Sequence, residues 1–119
     1  MPTINFSLKD LQQLVGKKIS IEELEDLVQY AKGEFEKYDK TTDEVTVGLD
    51  DTNLPYLWSV EGLARLFRGV FGKEKGIPKI SLKKSDYKMI VDPSVKKVRP
   101  YISSFIFKGP PLTDYLLKQ

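Results

Sequence analysis

Apolar residues alternate at the start of the chain and then change to a helical spacing. Ile4 and Phe6 alternate with polar neighbours, which predicts a short first strand. Ser7 then has the position of a helix N-cap, and Gly16 is the expected stop of the helix. The apolar residues between these two fall on one helical face: Leu8, Leu11, Leu14 and Val15.

The second predicted helix has the clearest start signal in the chain. Ser20 and Glu23 have the spacing of a capping box, in which the hydroxyl accepts the Glu23 amide and the carboxylate returns to the Ser20 amide. Gly33 is the expected C-terminal stop. The stripe predicted to be buried consists of Ile21, Leu24, Leu27, Val28 and Ala31.

A hairpin and a third helix are expected next. Residues 35–38 and 45–49 have strand patterns and flank turn residues at 41–43. A helix is expected from Ser59 to Phe71. Gly62 inside it costs up to about 1 kcal/mol relative to alanine. Either a close approach of backbone or of a partner explains this glycine, or it stands there by chance.

The chain changes character after residue 76. The sequence GKEKGIP at 72–78 is typical of a linker, strands are predicted at 87–91 and 101–107, and a short helix at 114–118. We therefore expect an α+β protein in two parts. Residues 1–76 form a small three-helix unit with a β-hairpin, and residues 77–119 form a linker and the β-rich opening of another domain.

Composition excludes several kinds of chemistry. The chain has no Cys and no His, which removes disulfides, thiolate nucleophiles, the usual zinc sites and imidazole bases. Asp50 and Asp51 are adjacent acids, and paired carboxylates can bind magnesium, but no third ligand stands at a metal-binding spacing. We therefore expect a solvated turn and no metal ligand, with magnesium binding as the alternative. Neither a signal peptide nor an apolar run of about 20 residues is present, so we expect a cytoplasmic protein without a membrane partner.

The net charge of +2 is unevenly distributed. Residues 1–76 carry ten Lys/Arg and fourteen Asp/Glu, a balance of −4, while residues 77–119 carry nine and three, a balance of +6. The basic part is either a lysine-rich surface in water or a nucleic-acid contact, with Tyr87 and Tyr101 as stacking partners. In the second case Arg65, Arg68, Lys73 and Lys75 form a basic edge at the third helix and the linker, and the cations of the basic part extend it. The candidate RNA-binding residues are Arg65, Arg68, Lys83, Lys84, Lys88, Lys96, Lys97 and Arg99.

Three large apolar residues stand together before the third helix. Tyr56, Leu57 and Trp58 either fill the core or form an exposed protein-docking patch.

Residues 53–65, NLPYLWSVEGLAR, resemble the N-R-P-D-L-x-S-x-E-G-x-A-R signature near the start of the archaeal and eukaryotic phenylalanyl-tRNA synthetase beta subunit. The segments 20–27, 72–78 and 99–101 also resemble that family, in the same order. Leu54 and Tyr56 depart from the signature, which has Arg and Asp there, so a contact made by that charged pair is in question.

The resemblance implies a winged-helix-like first unit and a place in an alpha2-beta2 enzyme. ATP, magnesium and phenylalanine would bind to the alpha subunit, and the editing pocket would belong to a beta domain beginning near residue 80. Expected partners are the alpha subunit, the remainder of the beta subunit and tRNA(Phe). The chain itself is expected to hold no cofactor and no catalytic residue, and so to act as a structural module of the ligase. The alternative is a stand-alone relative or fragment that binds RNA through its basic C-terminal third.

Overall fold

The protein consists of two units that differ in regular structure and in buried core. The computed structural model describes residues 2–77, 79–106, 108, 109 and 117. Contacts divide these residues into a first unit that ends at Ile77 and a second that covers the described part of residues 78–117. The first unit holds the α-helices α1 (Leu8–Val15), α2 (Ile21–Gln29) and α3 (Val60–Val70) together with a three-stranded sheet.

A serine cap begins each of these helices, and the sequence predicts the caps at Ser7 and Ser20. The Ser7, Ser20 and Ser59 hydroxyls accept hydrogen bonds from amides three residues further on, at 3.2, 3.1 and 3.2 Å. Such caps stabilise a helix by about 1 kcal/mol each. Gly16 ends α1 with a φ of 71°, the left-handed conformation expected of a helix-stopping glycine.

The end of α2 differs from the prediction. The helix ends at Gln29, and the left-handed residue that follows it is Lys32, with a φ of 51°, rather than Gly33. Gly33 instead opens a strand, where a Cβ would lie 2.7 Å from the Gly48 carbonyl oxygen. This glycine is therefore needed for close packing between strands, and a sequence pattern alone does not separate that use from a helix stop.

The sheet is antiparallel, with the strand order β1-β3-β2. It is built from β1 (Thr3–Ser7), β2 (Gly33–Asp39) and β3 (Glu44–Leu49), so the opening strand joins the predicted hairpin along β3. On the inner face Phe6 pairs with Val45, which pairs on its other side with Tyr38. The register of β2 shifts between Phe35 and Lys37.

The apolar core lies wholly within the first unit. All three helices, the sheet and the turn before α3 contribute to it, and no buried residue follows Phe67 in the described part of the chain. This confirms the α+β class, with three helices against a small sheet. The core consists of Phe6, Leu8, Leu11, Val15, Ile19, Leu24, Leu27, Val28, Ala31, Val45, Val47, Leu49, Leu57, Val60, Leu63, Ala64 and Phe67.

The second unit does not contain the strands expected from its sequence. Residues 87–91 and 101–106 form no strand, Phe107 lies outside the described residues, and so does the predicted helix 114–118 except for Leu117. A strand needs a neighbour for its backbone hydrogen bonds, and no neighbouring strand is present among the described residues of this unit. Its described residues include the 3-10 helix Pro93–Lys97, which begins at Asp92, whose carboxylate accepts a hydrogen bond from the Ser94 amide at 2.8 Å.

Asp43 in the hairpin turn ties the sheet to the start of α1. Its carboxylate accepts hydrogen bonds from the Ser7 hydroxyl at 2.6 Å, the Lys9 amide at 3.0 Å and the Tyr38 hydroxyl at 3.2 Å. Burial raises the pKa of Asp43, but these hydrogen bonds and the Lys9 charge outweigh it and hold the pKa below its ordinary value. Loss of water contact and the bond to Asp43 raise the pKa of Tyr38.

Replacing Asp43 with asparagine is expected to lower the free energy of unfolding at pH 7 by about 1 to 2 kcal/mol, because charge-assisted hydrogen bonds at a helix start are lost. A carboxyl whose pKa is lower in the folded state stabilises above its unfolded pKa of about 4. That contribution is lost as the pH falls through the folded pKa. The difference between wild type and variant should therefore shrink at low pH in urea titrations. Equal differences at pH 7 and pH 2 would contradict this account, and Asp50→Asn, at an exposed site, is the control.

Candidate functional site

A short 3-10 helix, Pro55–Leu57, contains Tyr56 and Leu57, and Trp58 is its C-cap. Its bonds run from the Leu57 amide to the Leu54 carbonyl at 3.0 Å and from the Trp58 amide to the Pro55 carbonyl at 3.1 Å. Pro55 suits the first position of such a turn because its φ is already restricted and it has no amide hydrogen to leave unpaired. We call residues 55–58 the aromatic turn.

Gly62 holds the aromatic turn against the first turn of α3. A Cβ built at Gly62 would lie 1.7 Å from the Tyr56 carbonyl oxygen and 2.8 Å from its carbon. No side chain fits at that distance, because the obstacle is backbone rather than a movable side chain. Of the two explanations that the sequence left open for this glycine, close backbone approach is the correct one.

The three residues of the predicted docking patch separate in the structure. Leu57 is only 4% exposed and belongs to the core, whereas Tyr56 is 65% and Trp58 40% exposed. The 3-10 geometry causes this split, because neighbouring side chains in a tight helix point in different directions. Leu57 is thus an anchor, and two aromatic rings remain on the surface.

The adjacent acids before the turn have separate environments. The Asp51 carboxylate lies 3.0 Å from the Lys32 ammonium, while Asp50 is exposed. Among the residues that the structure describes, no group of three or more acidic, His or Cys side chains is placed to hold a metal ion. In that same part of the chain, no helix combines the length and the apolar character needed to cross a membrane.

The two candidate arginines of α3 differ in what surrounds them. Arg68 lies 3.3 Å from Glu74, so its charge is partly neutralised within the first unit. Arg65 is exposed and does not form an ion pair with Glu61 one turn earlier. Of these two arginines, only Arg65 has no ion-pair partner among the described residues.

The other candidate cations belong to the second unit and are all exposed. No acidic side chain lies within ion-pair distance of them among the described residues. Nearby, the Lys108 ammonium lies 5.1 Å from the centre of the exposed Tyr87 ring. The six candidate cations of the second unit are Lys83, Lys84, Lys88, Lys96, Lys97 and Arg99.

Comparison with known proteins gives relatives that match along the whole chain. The phenylalanine–tRNA ligase beta subunit of Pyrococcus horikoshii is 44% identical over 121 residues, which cover 100% of this chain and 22% of that protein. The corresponding subunit of Thermococcus kodakarensis is 42% identical, with 100% and 21% covered. The chain is a homologue of the N-terminal region of the phenylalanine–tRNA ligase beta subunit.

A solved structure agrees with this relationship. The crystal structure of an N-terminal fragment of the phenylalanyl-tRNA synthetase beta subunit from Pyrococcus horikoshii matches with a TM-score of 0.72 at 43% identity. It covers 84% of this chain, which in turn covers 29% of that one. The chain spans about a fifth of the length of its curated beta-subunit relatives. No model of a known protein family matches it.

The residues that carry the beta-subunit signature have structural duties here. Ser59 caps α3, Gly62 leaves room for the Tyr56 carbonyl, and Leu57 and Ala64 are buried. Leu54, which stands where the signature has Arg, packs partly buried against the core. These signature residues therefore shape the contact between the aromatic turn and α3, while the side chain at position 56 faces outward.

One cation predicted for the basic edge, Lys73, makes hydrogen bonds within the first unit of this beta-subunit homologue. The Lys73 ammonium donates to the Val15 and Gly16 carbonyls at 3.1 and 2.7 Å, and so caps the C-terminus of α1. Lys17 lies 4.0 Å above the Phe71 ring and also pairs with Glu23. Apart from the Lys17–Glu23 pair, these contacts join residues more than 50 positions apart, and nothing in the local sequence indicates them.

Proposed function

We propose that the chain is a non-catalytic N-terminal module of a phenylalanine–tRNA ligase beta subunit that contributes to assembly of the enzyme that charges tRNA(Phe). The observations that carry the proposal are the match of the whole chain to about a fifth of such a subunit and its match to a solved N-terminal fragment of that subunit. On this proposal ATP and magnesium bind to the alpha subunit, and the partners of the chain are that subunit and the remainder of the beta subunit.

The exposed apolar residues of the second unit support a role in assembly. Ile90 and Tyr101 are more than nine-tenths exposed, and Phe105 is nearly so. No backbone–backbone hydrogen bond joins residues 79–91 or 100–106 to any other described residue. Exposed apolar surface of this kind is typical of an interaction site. We propose that residues from 77 onward open the next domain and complete their strands against the remainder of the beta subunit.

Reconstitution tests this proposal. The Pyrococcus horikoshii beta subunit, made without its N-terminal fifth, would be mixed with the alpha subunit and with this chain. We expect the chain to co-elute with both subunits. We also expect the chain alone neither to form Phe-tRNA(Phe) nor to release tyrosine from Tyr-tRNA(Phe). Failure to join the complex, or turnover by the chain alone, would reject the proposal.

A second candidate function is RNA binding through the basic second unit. Its supporting observation is that the six exposed cations there have no acidic partner within ion-pair distance among the described residues. If all six contacted phosphates, tRNA affinity would fall about a thousandfold between 50 and 200 mM salt. Filter binding of Lys96→Gln/Lys97→Gln, compared with Lys37→Gln/Lys40→Gln in the first unit, would locate the contact. A flat salt dependence would eliminate this function.

A further inference from the structure

The aromatic turn is held by contacts with the core and with α3, and it carries two exposed rings. Leu57 anchors it in the core, the Ser59 cap fixes the start of the following helix, and Gly62 admits the Tyr56 carbonyl. A glycine within a helix costs about 1 kcal/mol relative to alanine. The chain therefore has a residue that lowers helix stability at the position that fixes how Tyr56 and Trp58 are exposed.

The rings displayed there are of the types that dominate protein interfaces. Trp and Tyr are enriched among the residues whose truncation weakens association most. A turn that is already ordered loses less conformational entropy on binding. Two rings held by such a turn therefore contribute more to affinity than the same rings on a mobile loop. The Tyr56 side chain is 65% exposed, so packing in the core does not account for its position.

The charge around the turn favours a protein over a nucleic acid as its occupant. Residues 1–76 have a balance of −4, from ten basic and fourteen acidic residues. Asp50 before the turn and Glu61 after it are both exposed, and Arg65 is the neighbouring cation on α3. A phosphate backbone would meet net repulsion from this unit, whereas an apolar pocket with basic side chains at its rim would not.

We propose that Tyr56 and Trp58 insert into an apolar pocket, rimmed by Lys or Arg, on the part of the beta subunit that follows this region in the relatives. Four-fifths of each relative's length lies outside the region matched here. Covalent connection there holds that surface at high effective concentration, which suits a pocket of modest intrinsic affinity. The inference rests on the proposed function and names the partner surface within it.

The test measures binding of the chain to the Pyrococcus horikoshii beta subunit lacking its N-terminal fifth, by calorimetry at physiological salt. Tyr56→Ala is expected to weaken binding at least tenfold. Tyr56→Phe and Trp58→Phe, which keep a ring, should stay within about threefold of wild type. Tyr30→Ala is the matched control, since Tyr30 is also 65% exposed but stands at the end of α2.

The outcomes separate this inference from the function on which it rests. If wild type binds and Tyr56→Ala binds equally well, the docking inference is overturned while the assembly role stands. If wild type does not bind, both are overturned. Equal weakening by Tyr30→Ala would also reject the inference, because the effect would then not be specific to the aromatic turn. Thermal unfolding of each variant, expected to stay within about 2 °C of wild type for Tyr56→Ala, keeps loss of fold distinct from loss of contact.

Discussion

Replacing Gly62 with alanine is expected to lower the free energy of unfolding of the first unit by about 3 kcal/mol or more. The added Cβ would lie 1.7 Å from the Tyr56 carbonyl oxygen, so the aromatic turn must separate from α3. Overpacking against backbone costs more than against a side chain, which can rotate away. Urea unfolding followed by tryptophan fluorescence measures the loss directly, because Trp58 lies in the displaced turn.

Gly69→Ala on the same helix is the matched control for this substitution. A Cβ at Gly69 would come no nearer than 3.8 Å, to the Glu74 carbonyl oxygen, so it fits without movement. Helix propensity then dominates, and this variant should gain about 0.5 to 1 kcal/mol. Two identical substitutions in one helix are thus expected to act in opposite directions. A loss of less than about 1 kcal/mol in Gly62→Ala would show that the turn is not clamped to α3.

Phe67→Ala is expected to destabilise the first unit by about 3 to 5 kcal/mol. Phe67 is the largest of the fully buried side chains, so its removal leaves a cavity. For a unit of this size the loss corresponds to a fall in melting temperature of roughly 15 °C or more. Circular dichroism at rising temperature would detect it.

Phe105→Ala is the control in the second unit. Its ring is 88% exposed, so the variant should unfold within about 0.5 kcal/mol of wild type. On the proposed function it should nevertheless weaken association with the remainder of the beta subunit. If Phe105→Ala destabilised the isolated chain as much as Phe67→Ala does, the stability of the isolated chain would not reside in the first unit.

Local signals in the sequence predicted much of the first unit. The predicted caps at Ser7 and Ser20 each accept a hydrogen bond from the amide three residues further on, and Gly16 stops α1. Such features depend on neighbours within one helical turn, so spacing alone reveals them. Features that depend on distant residues were missed, such as the Asp43 carboxylate at the start of α1 and the Lys73 ammonium at its end.

The candidate site was predictable in position but not in detail. The cluster of apolar residues at 56–58 indicated either a core segment or a docking patch, and the structure buries Leu57 in the core while Tyr56 and Trp58 stay exposed. Which side chain turns inward depends on the 3-10 helix and on the Gly62 contact, both settled by packing against α3. In the second unit an alternating pattern predicted strands, but a pattern cannot supply the neighbouring strand that a sheet requires.

Hydrogen exchange of the full chain, alone and with the Pyrococcus horikoshii beta subunit lacking its N-terminal fifth, tests the central claim most directly. The claim is that the first unit folds by itself and the second becomes ordered on its partner. We predict slow exchange throughout β3 and α3 in both samples. We also predict fast exchange in residues 79–91 and 100–106 of the chain alone, which becomes slow on mixing. Strong protection of those residues in the isolated chain, or no change on mixing, would contradict the account.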